Sequence, residues 1–185
     1  MVLVVAVVGM PGCGKGELSA LVKAAGIPVF SMGNMIRAEV EARNLKGDPH
    51  VFGRVAQELR DEFGYGVLAS RLAPYIESSL VDSQMVLIEG MRGVDERDIF
   101  LEHWPDSFRV IAVVVEADIR FNRISARGRA EDGDRAAFNE RDRRELSWGV
   151  GELIAGADWS LDNSGDLETF NNLSEQWLKA LLPSH

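Results

Sequence analysis

Short apolar runs recur along the chain and alternate with segments in which apolar residues return every three or four positions. A short run rich in valine and isoleucine predicts a buried strand, whereas the three-and-four spacing predicts an amphipathic helix. Five runs have the character of strands: residues 2–8, 27–30, 85–88, 110–115 and the weaker 159–161. Strands that alternate with helices predict an α/β fold with three layers, in which helices cover both faces of a mostly parallel five-stranded sheet.

Length and charge narrow the possible classes of protein. The 185 residues match one domain, and 46% hydrophobic and 26% charged residues are ordinary for a globular chain. A net charge of −9 opposes extended binding of nucleic acid, so nucleic acid is not expected as the main ligand. The first apolar run is short and lacks a basic leader, and the single cysteine fits a reducing compartment. We therefore expect a cytoplasmic protein without a membrane partner.

The strongest motif is a glycine-rich segment between the first predicted strand and the first predicted helix. Its residues are Gly9, Met10, Pro11, Gly12, Cys13, Gly14, Lys15, Gly16 and Glu17. Glycines let the backbone curl so that amide hydrogens face phosphate oxygens, while the lysine reaches the outer phosphates. The spacing differs from that of a dinucleotide fingerprint, and a purely structural glycine turn does not account for the lysine. The segment predicts a phosphate loop that binds ATP.

Gly16 stands where many phosphate loops carry the serine or threonine that contacts magnesium. The Gly-Lys-Gly sequence resembles the loops of adenylate-kinase-like nucleoside monophosphate kinases, although Glu17 replaces their common threonine. The resemblance implies that Mg²⁺ is held by phosphates and waters, with no direct side-chain ligand. Cys13 has no identifiable base partner, so a nucleophilic role is not favoured.

Two further segments resemble the acceptor side of adenylate kinases. Residues 31–37 end in Arg37, and residues 86–92 contain Glu89 and end in Arg92. The resemblance implies that Arg37 and Arg92 bind the acceptor, that Arg92 also neutralises charge during transfer, and that Glu89 orients magnesium through water. The alternatives are a helix start with an exposed Arg37 and a structural Glu89.

Arginines cluster in the second half of the chain. Arg120, Arg123 and Arg127 share one predicted helical face because they are spaced by three and four residues. In the related kinases such arginines contact the nucleotide and its phosphates, which assigns Arg123 to nucleotide binding and Arg127 to catalysis, and leaves Arg120 to solvent. Arg141 and Arg144 resemble the arginines at the base of a lid that closes over the transferred phosphoryl. The alternative for both is an exposed helix with intrahelical ion pairs.

The resemblance extends over nearly the whole chain. Residues 148–152 and 157–163 resemble an archaeal P-loop family that is described as related to dephospho-coenzyme-A kinase and whose biochemical role is unsettled. It implies a single P-loop kinase domain over residues 1–185, a helical acceptor-side insertion at about 31–80, and a short lid at about 129–139.

Four other side chains have weaker assignments. Arg60 and Arg71 lie in helical segments, where an exposed or locally paired position is favoured over the acceptor pocket. Trp148 and Trp159 have the size to stack on a base, but packing in the core is favoured for both.

These predictions converge on phosphoryl transfer from ATP, assisted by Mg²⁺, to a small-molecule acceptor, with a nucleoside monophosphate as the leading class. Dephospho-coenzyme A is the alternative acceptor, and its hydroxyl would need a base. An ATP-driven switch or assembly factor without a small acceptor is the alternative of a different class.

Overall fold

The computed structural model describes residues 2–45, 51–128 and 133–182. Its strands are β1 (Leu3–Val8), β2 (Val29–Ser31), β3 (Met85–Glu89), β4 (Phe108–Val114) and β5 (Trp159–Asp162). They form one sheet in the order β2-β3-β1-β4-β5, and every neighbouring pair is parallel. All five predicted strand regions are confirmed, and the sheet is entirely parallel.

Helices connect the strands and cover both faces of the sheet. They are α1 (Lys15–Ala24), α2 (Met32–Ala42), α3 (Val51–Phe63), α4 (Val67–Ser79), α5 (Val94–His103), α6 (Ala117–Arg127), α7 (Arg135–Ser147), α8 (Val150–Ala155) and α9 (Leu167–Leu181). Alternate residues of the central strand β1 enter two separate cores. Val4 and Ala6 pack with residues of α3, α4 and α5, whereas Val5 and Val7 pack with residues of α1 and α9. The predicted three layers are confirmed.

The topology places a ligand site at one edge of the sheet. Strand β1 lies between β3 and β4, so the chain leaves β1 at the point where the connections diverge to opposite sides. Ligands of open parallel sheets bind outside the carboxyl ends of the strands at such a point. The glycine-rich segment follows β1 directly and therefore lies there.

The predicted acceptor-side insertion and lid stay predictions, and the structure gives the elements over which they extend. Residues 31–80 contain α2, α3 and α4. Within the predicted lid, residues 129–132 lie outside the described residues, and residues 135–139 form the beginning of α7. In the part of the chain that the structure describes, no helix has the length and apolar character required to cross a membrane.

Candidate functional site

The phosphate loop has a backbone that requires glycine at two positions in particular. Gly9 has φ +150°, and a Cβ there would lie 2.5 Å from the carbonyl oxygen of Val113. Gly14 has φ +101° at the N-cap of α1, and its Cβ would lie 2.2 Å from the side-chain nitrogen of Asn163. Because Gly14 has no side chain to cap the helix, the first amides of α1 are available to an anion. The loop has the geometry of a phosphate cradle.

Lys15 curls back over this loop. Its ammonium donates to the carbonyl oxygen of Gly9 at 2.6 Å and to that of Met10 at 3.3 Å. Burial lowers the pKa of Lys15 below its ordinary value, and the nearby Arg92 guanidinium also lowers it, while Cys13 and Glu145 act in the opposite sense. A lysine in this position gains from an added negative charge, because a phosphate would compensate the lost hydration.

The loop is held from behind by a residue that the sequence motifs did not identify as part of the site. Asn163 follows β5, is 5% exposed, and donates from Nδ2 to the carbonyl oxygen of Cys13 at 2.8 Å. Its own backbone N–H donates to Val114 at the end of β4. Cys13 itself is 1% exposed and packs in the core beneath the loop. The only sign of this role in the sequence is that Asn163 is a polar residue directly after a predicted strand.

A cleft of about 690 Å³ opens beside the loop. Its cationic lining residues are Lys15, Arg92, Arg123, Arg127 and Arg141, and its acidic ones are Glu17, Glu145 and Asp166. The structure therefore brings together the predicted donor-side and acceptor-side cations in one place. The excess of positive charge is local, since the chain as a whole carries −9, and it favours a polyanionic ligand.

Arg92 lines the cleft and is supported on several sides. Its guanidinium is ion-paired with Glu145, whose side chain is 4% exposed, and its Cζ lies 5.9 Å from the centre of the Trp148 ring. Its backbone N–H donates to Glu96 at 2.7 Å. The guanidiniums of Arg60 and Arg144 also lie against Trp148, at 5.2 and 5.6 Å. Trp148 is thus a half-buried platform for arginines, and its expected place in the core is wrong.

A buried ion pair stands behind Arg92. Arg60 is 5% exposed and donates to Glu96 at 3.3 Å, and Glu96 is 1% exposed. Burial raises the pKa of Glu96, while the backbone N–H of Arg92 and the charge of Arg60 lower it in part. Arg60 does not line the cleft, and it is neither exposed nor ion-paired within its own helix as expected, because its carboxylate partner Glu96 lies on α5.

Arg120 connects the phosphate loop to helix α7. It is 4% exposed and donates to the carbonyl oxygen of Pro11 at 3.0 Å. It also donates twice to the Asp142 carboxylate, at 3.0 and 2.6 Å, and its Cζ lies 5.0 Å from the Phe138 ring. The expectation that Arg120 points to solvent is wrong, because these carbonyl and carboxylate partners replace its hydration.

Some predicted site residues lie apart from the cleft lining. Arg37 is exposed and bonds to Asn34 one turn earlier, and Arg144 is exposed on α7. Glu89 ends β3, in register with Val7 of β1, and immediately precedes the lining residue Gly90. In residues 2–45, 51–128 and 133–182, no group of three or more His, Cys, Asp or Glu side chains is placed to hold a metal ion.

The remaining predicted residues divide between the cleft and its surroundings. Arg123 lines the cleft and donates to the carbonyl oxygen of Gly165, in the loop that leads to α9. Met10 and Cys13 belong to the phosphate loop without lining the cleft. Trp159 packs edge-on against Trp177, with ring centres 6.0 Å apart, which confirms its expected place in the core.

Two kinds of relative resemble the chain, by sequence and by fold. A family model described as an AAA domain matches residues 8–138. A UPF0200 protein of Methanosarcina mazei is 37% identical over 171 residues, which are 92% of this chain and 90% of that protein.

Solved structures share the fold at low sequence identity. TT1252 from Thermus thermophilus has a TM-score of 0.64 at 19% identity and covers 98% of this chain and 99% of its own. Shikimate kinase from Acinetobacter baumannii in complex with shikimate has a TM-score of 0.58 at 12% identity, with 98% and 93% covered. These likenesses show a P-loop kinase-like fold. With the matches over most of its length, the chain belongs to the UPF0200 protein family.

Proposed function

We propose that this protein transfers the γ-phosphoryl group of ATP to a small anionic acceptor, and that the acceptor is a nucleoside monophosphate. The observation that carries the proposal is the meeting of donor-side and acceptor-side cations in one cleft, where Lys15 of the phosphate loop and Arg92 after β3 both line the wall. Phosphoryl transfer depends mainly on positioning and on compensation of charge, and a cleft of this composition supplies both.

The donor end of the cleft suits a triphosphate. The amides at the start of α1 and the Lys15 ammonium would bind the outer phosphates, and Arg123, Arg127 and Arg141 line the same wall. Gly16 has no side-chain oxygen, so Mg²⁺ would be held by phosphate oxygens and waters. Glu89, the carboxylate at the adjoining strand end, would orient those waters. When bound, the ion neutralises charge on the transferring group.

The acceptor end suits an anion. In the proposed reaction the bond between the γ-phosphorus and the bridging oxygen breaks, ADP leaves, and a new bond forms to an oxygen of the acceptor phosphate. A phosphate oxygen of the acceptor carries no proton that must be removed, so the step needs no general base. Arg92 would hold this phosphate, since a guanidinium binds phosphate oxygens through paired N–H groups.

Transfer to a hydroxyl group is the second candidate, and one observation favours it. Glu145 lines the cleft beside Arg92 and is a carboxylate that could accept the hydroxyl proton. The fold is also shared with a shikimate kinase that was solved with shikimate bound. Dephospho-coenzyme A, the acceptor suggested by the sequence resemblance, belongs to this class.

Product analysis separates these reactions. The protein is incubated with ATP and Mg²⁺, either alone or with AMP, CMP, GMP, UMP or dephospho-coenzyme A, and ADP and the acceptor masses are measured. We expect the matching diphosphate to appear with one nucleoside monophosphate and to be absent with Lys15→Met. Phosphorylated dephospho-coenzyme A would replace the proposal by its second candidate. If no acceptor stimulates ADP formation and no acceptor gains a phosphoryl group, the protein is an ATPase switch and transfer is refuted.

A further inference from the structure

Helix α7 carries two carboxylates that bind arginines from two different parts of the site. Asp142 and Glu145 are three residues apart, so they lie on neighbouring positions of one helical face. Asp142 binds Arg120, which bonds to the phosphate loop, and Glu145 binds Arg92, which lies on the acceptor side. Arg141, next to Asp142, lines the cleft, as does Glu145.

We propose that Asp142 and Glu145 are positioning residues with separate tasks: Asp142 fixes the phosphate loop through Arg120, and Glu145 fixes the acceptor arginine Arg92. The proposal deepens the proposed function and rests on it for the identity of the acceptor. It assigns α7 as the element that aligns the donor and acceptor halves of the cleft.

The donor-side contact is geometrically specific. The two oxygens of Asp142 accept from the two terminal nitrogens of Arg120 at 3.0 and 2.6 Å, which is a paired contact in a site where Arg120 is 4% exposed. The same guanidinium donates to the carbonyl oxygen of Pro11 at 3.0 Å and to that of Val115 at 3.3 Å. An arginine fixed in this manner holds the backbone at Pro11, which precedes the phosphate-binding turn.

The acceptor-side contact leaves part of the arginine available. Glu145 engages one terminal nitrogen of Arg92. Arg92 is 37% exposed and lines the cleft, and a guanidinium has five N–H donors. Glu145 therefore orients the group without occupying all of its donors. Trp148 supports the same orientation of the guanidinium, and the Glu96 carboxylate holds the Arg92 backbone by accepting from its N–H.

The two tasks predict that replacing each carboxylate of α7 by its amide weakens a different ligand. Asp142→Asn should weaken ADP binding about tenfold, the size expected for one lost charged hydrogen-bond contact, and leave the acceptor KM nearly unchanged. Glu145→Gln should raise the KM of the nucleoside monophosphate about tenfold and leave ADP binding nearly unchanged. Glu140→Gln is the matched control, because Glu140 is an exposed carboxylate of α7.

Double-mutant cycles show whether each carboxylate acts through its arginine. In an Arg92→Ala background, Glu145→Gln should produce no further rise in the acceptor KM, and in an Arg120→Ala background, Asp142→Asn should produce no further loss of ADP affinity. Additive effects in either cycle would overturn the corresponding assignment. Equal losses of ADP and acceptor binding in both single variants would reduce α7 to a structural role.

Two readouts do not depend on turnover. ADP binding is measured by calorimetry, and the rate at which phenylglyoxal modifies Arg92 is followed by peptide mass spectrometry. We expect Glu145→Gln to increase this rate several-fold, because Arg92 loses its carboxylate partner, while Glu140→Gln leaves it unchanged. An unchanged rate in Glu145→Gln overturns the assignment of Glu145. If no nucleoside monophosphate is phosphorylated, the proposed function fails, and these two readouts still decide the tasks of Asp142 and Glu145.

Discussion

Replacement of Arg60 by methionine tests the buried ion pair that stands behind Arg92. Arg60 and Glu96 are 5% and 1% exposed, so neither group can regain water when its partner is removed. Breaking a buried pair of this kind costs about 3–5 kcal/mol while the remaining group stays charged. Glu96 keeps its contacts with the backbone N–H groups of Arg92 and Gly93 at 2.7 and 3.3 Å, and it can escape the remaining penalty by binding a proton.

The pH dependence follows from the direction of this proton binding. The pKa of Glu96 already lies above its ordinary value of 4.5, chiefly because of burial, and loss of the Arg60 charge raises it further. Between the ordinary and the raised pKa, the folded state holds a proton that the unfolded state releases. The free energy of unfolding then falls by about 1.4 kcal/mol per pH unit as the pH rises. Arg60→Met should therefore be closest to wild type in acid, and its deficit should grow as the pH rises above the pKa of Glu96 in the wild type.

Urea unfolding of the wild type and variants from about pH 5 to about pH 8 measures this dependence. Glu96→Gln provides the contrast, because it leaves the Arg60 charge buried and an arginine cannot lose its proton in this range. Its free energy of unfolding should therefore lack the pH dependence that the titration of Glu96 gives to the wild type and to Arg60→Met. Arg43→Met, which disrupts only surface pairs, should follow the wild-type curve. A deficit of Arg60→Met that is constant with pH, or largest in acid, would refute the reasoning.

Five further substitutions test the cleft and the predicted site residues around it. Lys15→Met should nearly abolish turnover without loss of the far-ultraviolet circular dichroism signal, because the proposed role of the ammonium is to bind the outer phosphates of the nucleotide. Unchanged turnover would disprove the site. Arg92→Ala should raise the acceptor KM more than that of ATP, and Arg37→Ala should do so more weakly because Arg37 lies outside the cleft lining; weaker ATP binding alone would contradict the division of the cleft. Glu89→Gln should shift the magnesium dependence of turnover to higher concentration, whereas Glu17→Gln should mainly change stability or nucleotide affinity; magnesium titrations in which Glu17→Gln gives the larger shift would reverse the two roles.

The fold was predictable where its signal is local in the sequence. Strands β1, β3 and most of β4 are apolar runs, and the phosphate loop is a continuous motif between a strand and a helix, so neighbouring residues suffice to identify them. Lys15 could be assigned for the same reason. The parallel sheet followed from the alternation of strands and helices, without any knowledge of which strands are neighbours.

The support of the site could not be predicted in this way. Asn163, which follows the edge strand β5, bonds to Cys13 in the loop after the central strand β1, and Arg120 binds Asp142 on another helix. Such pairs depend on the tertiary arrangement of the elements. The sequence around a buried, ion-paired arginine does not differ from the sequence around an exposed one. Glu145 lies within a mixed-charge helix, a pattern equally typical of a solvated surface. Its place in the cleft is visible only once α7 is packed.

The bond between Asn163 and Cys13 joins residues 150 positions apart and has a consequence for how the protein is made. The phosphate loop is synthesised long before the side chain that fixes it, because Asn163 emerges from the ribosome only after β5. Until β5 pairs with β4, the phosphate loop lacks its hydrogen bond from Asn163. Contacts between residues this distant in sequence form late, because closing the chain between them costs entropy. ATP should therefore bind only a chain that has completed its sheet, and by mass action it stabilises the finished fold over its incomplete precursors.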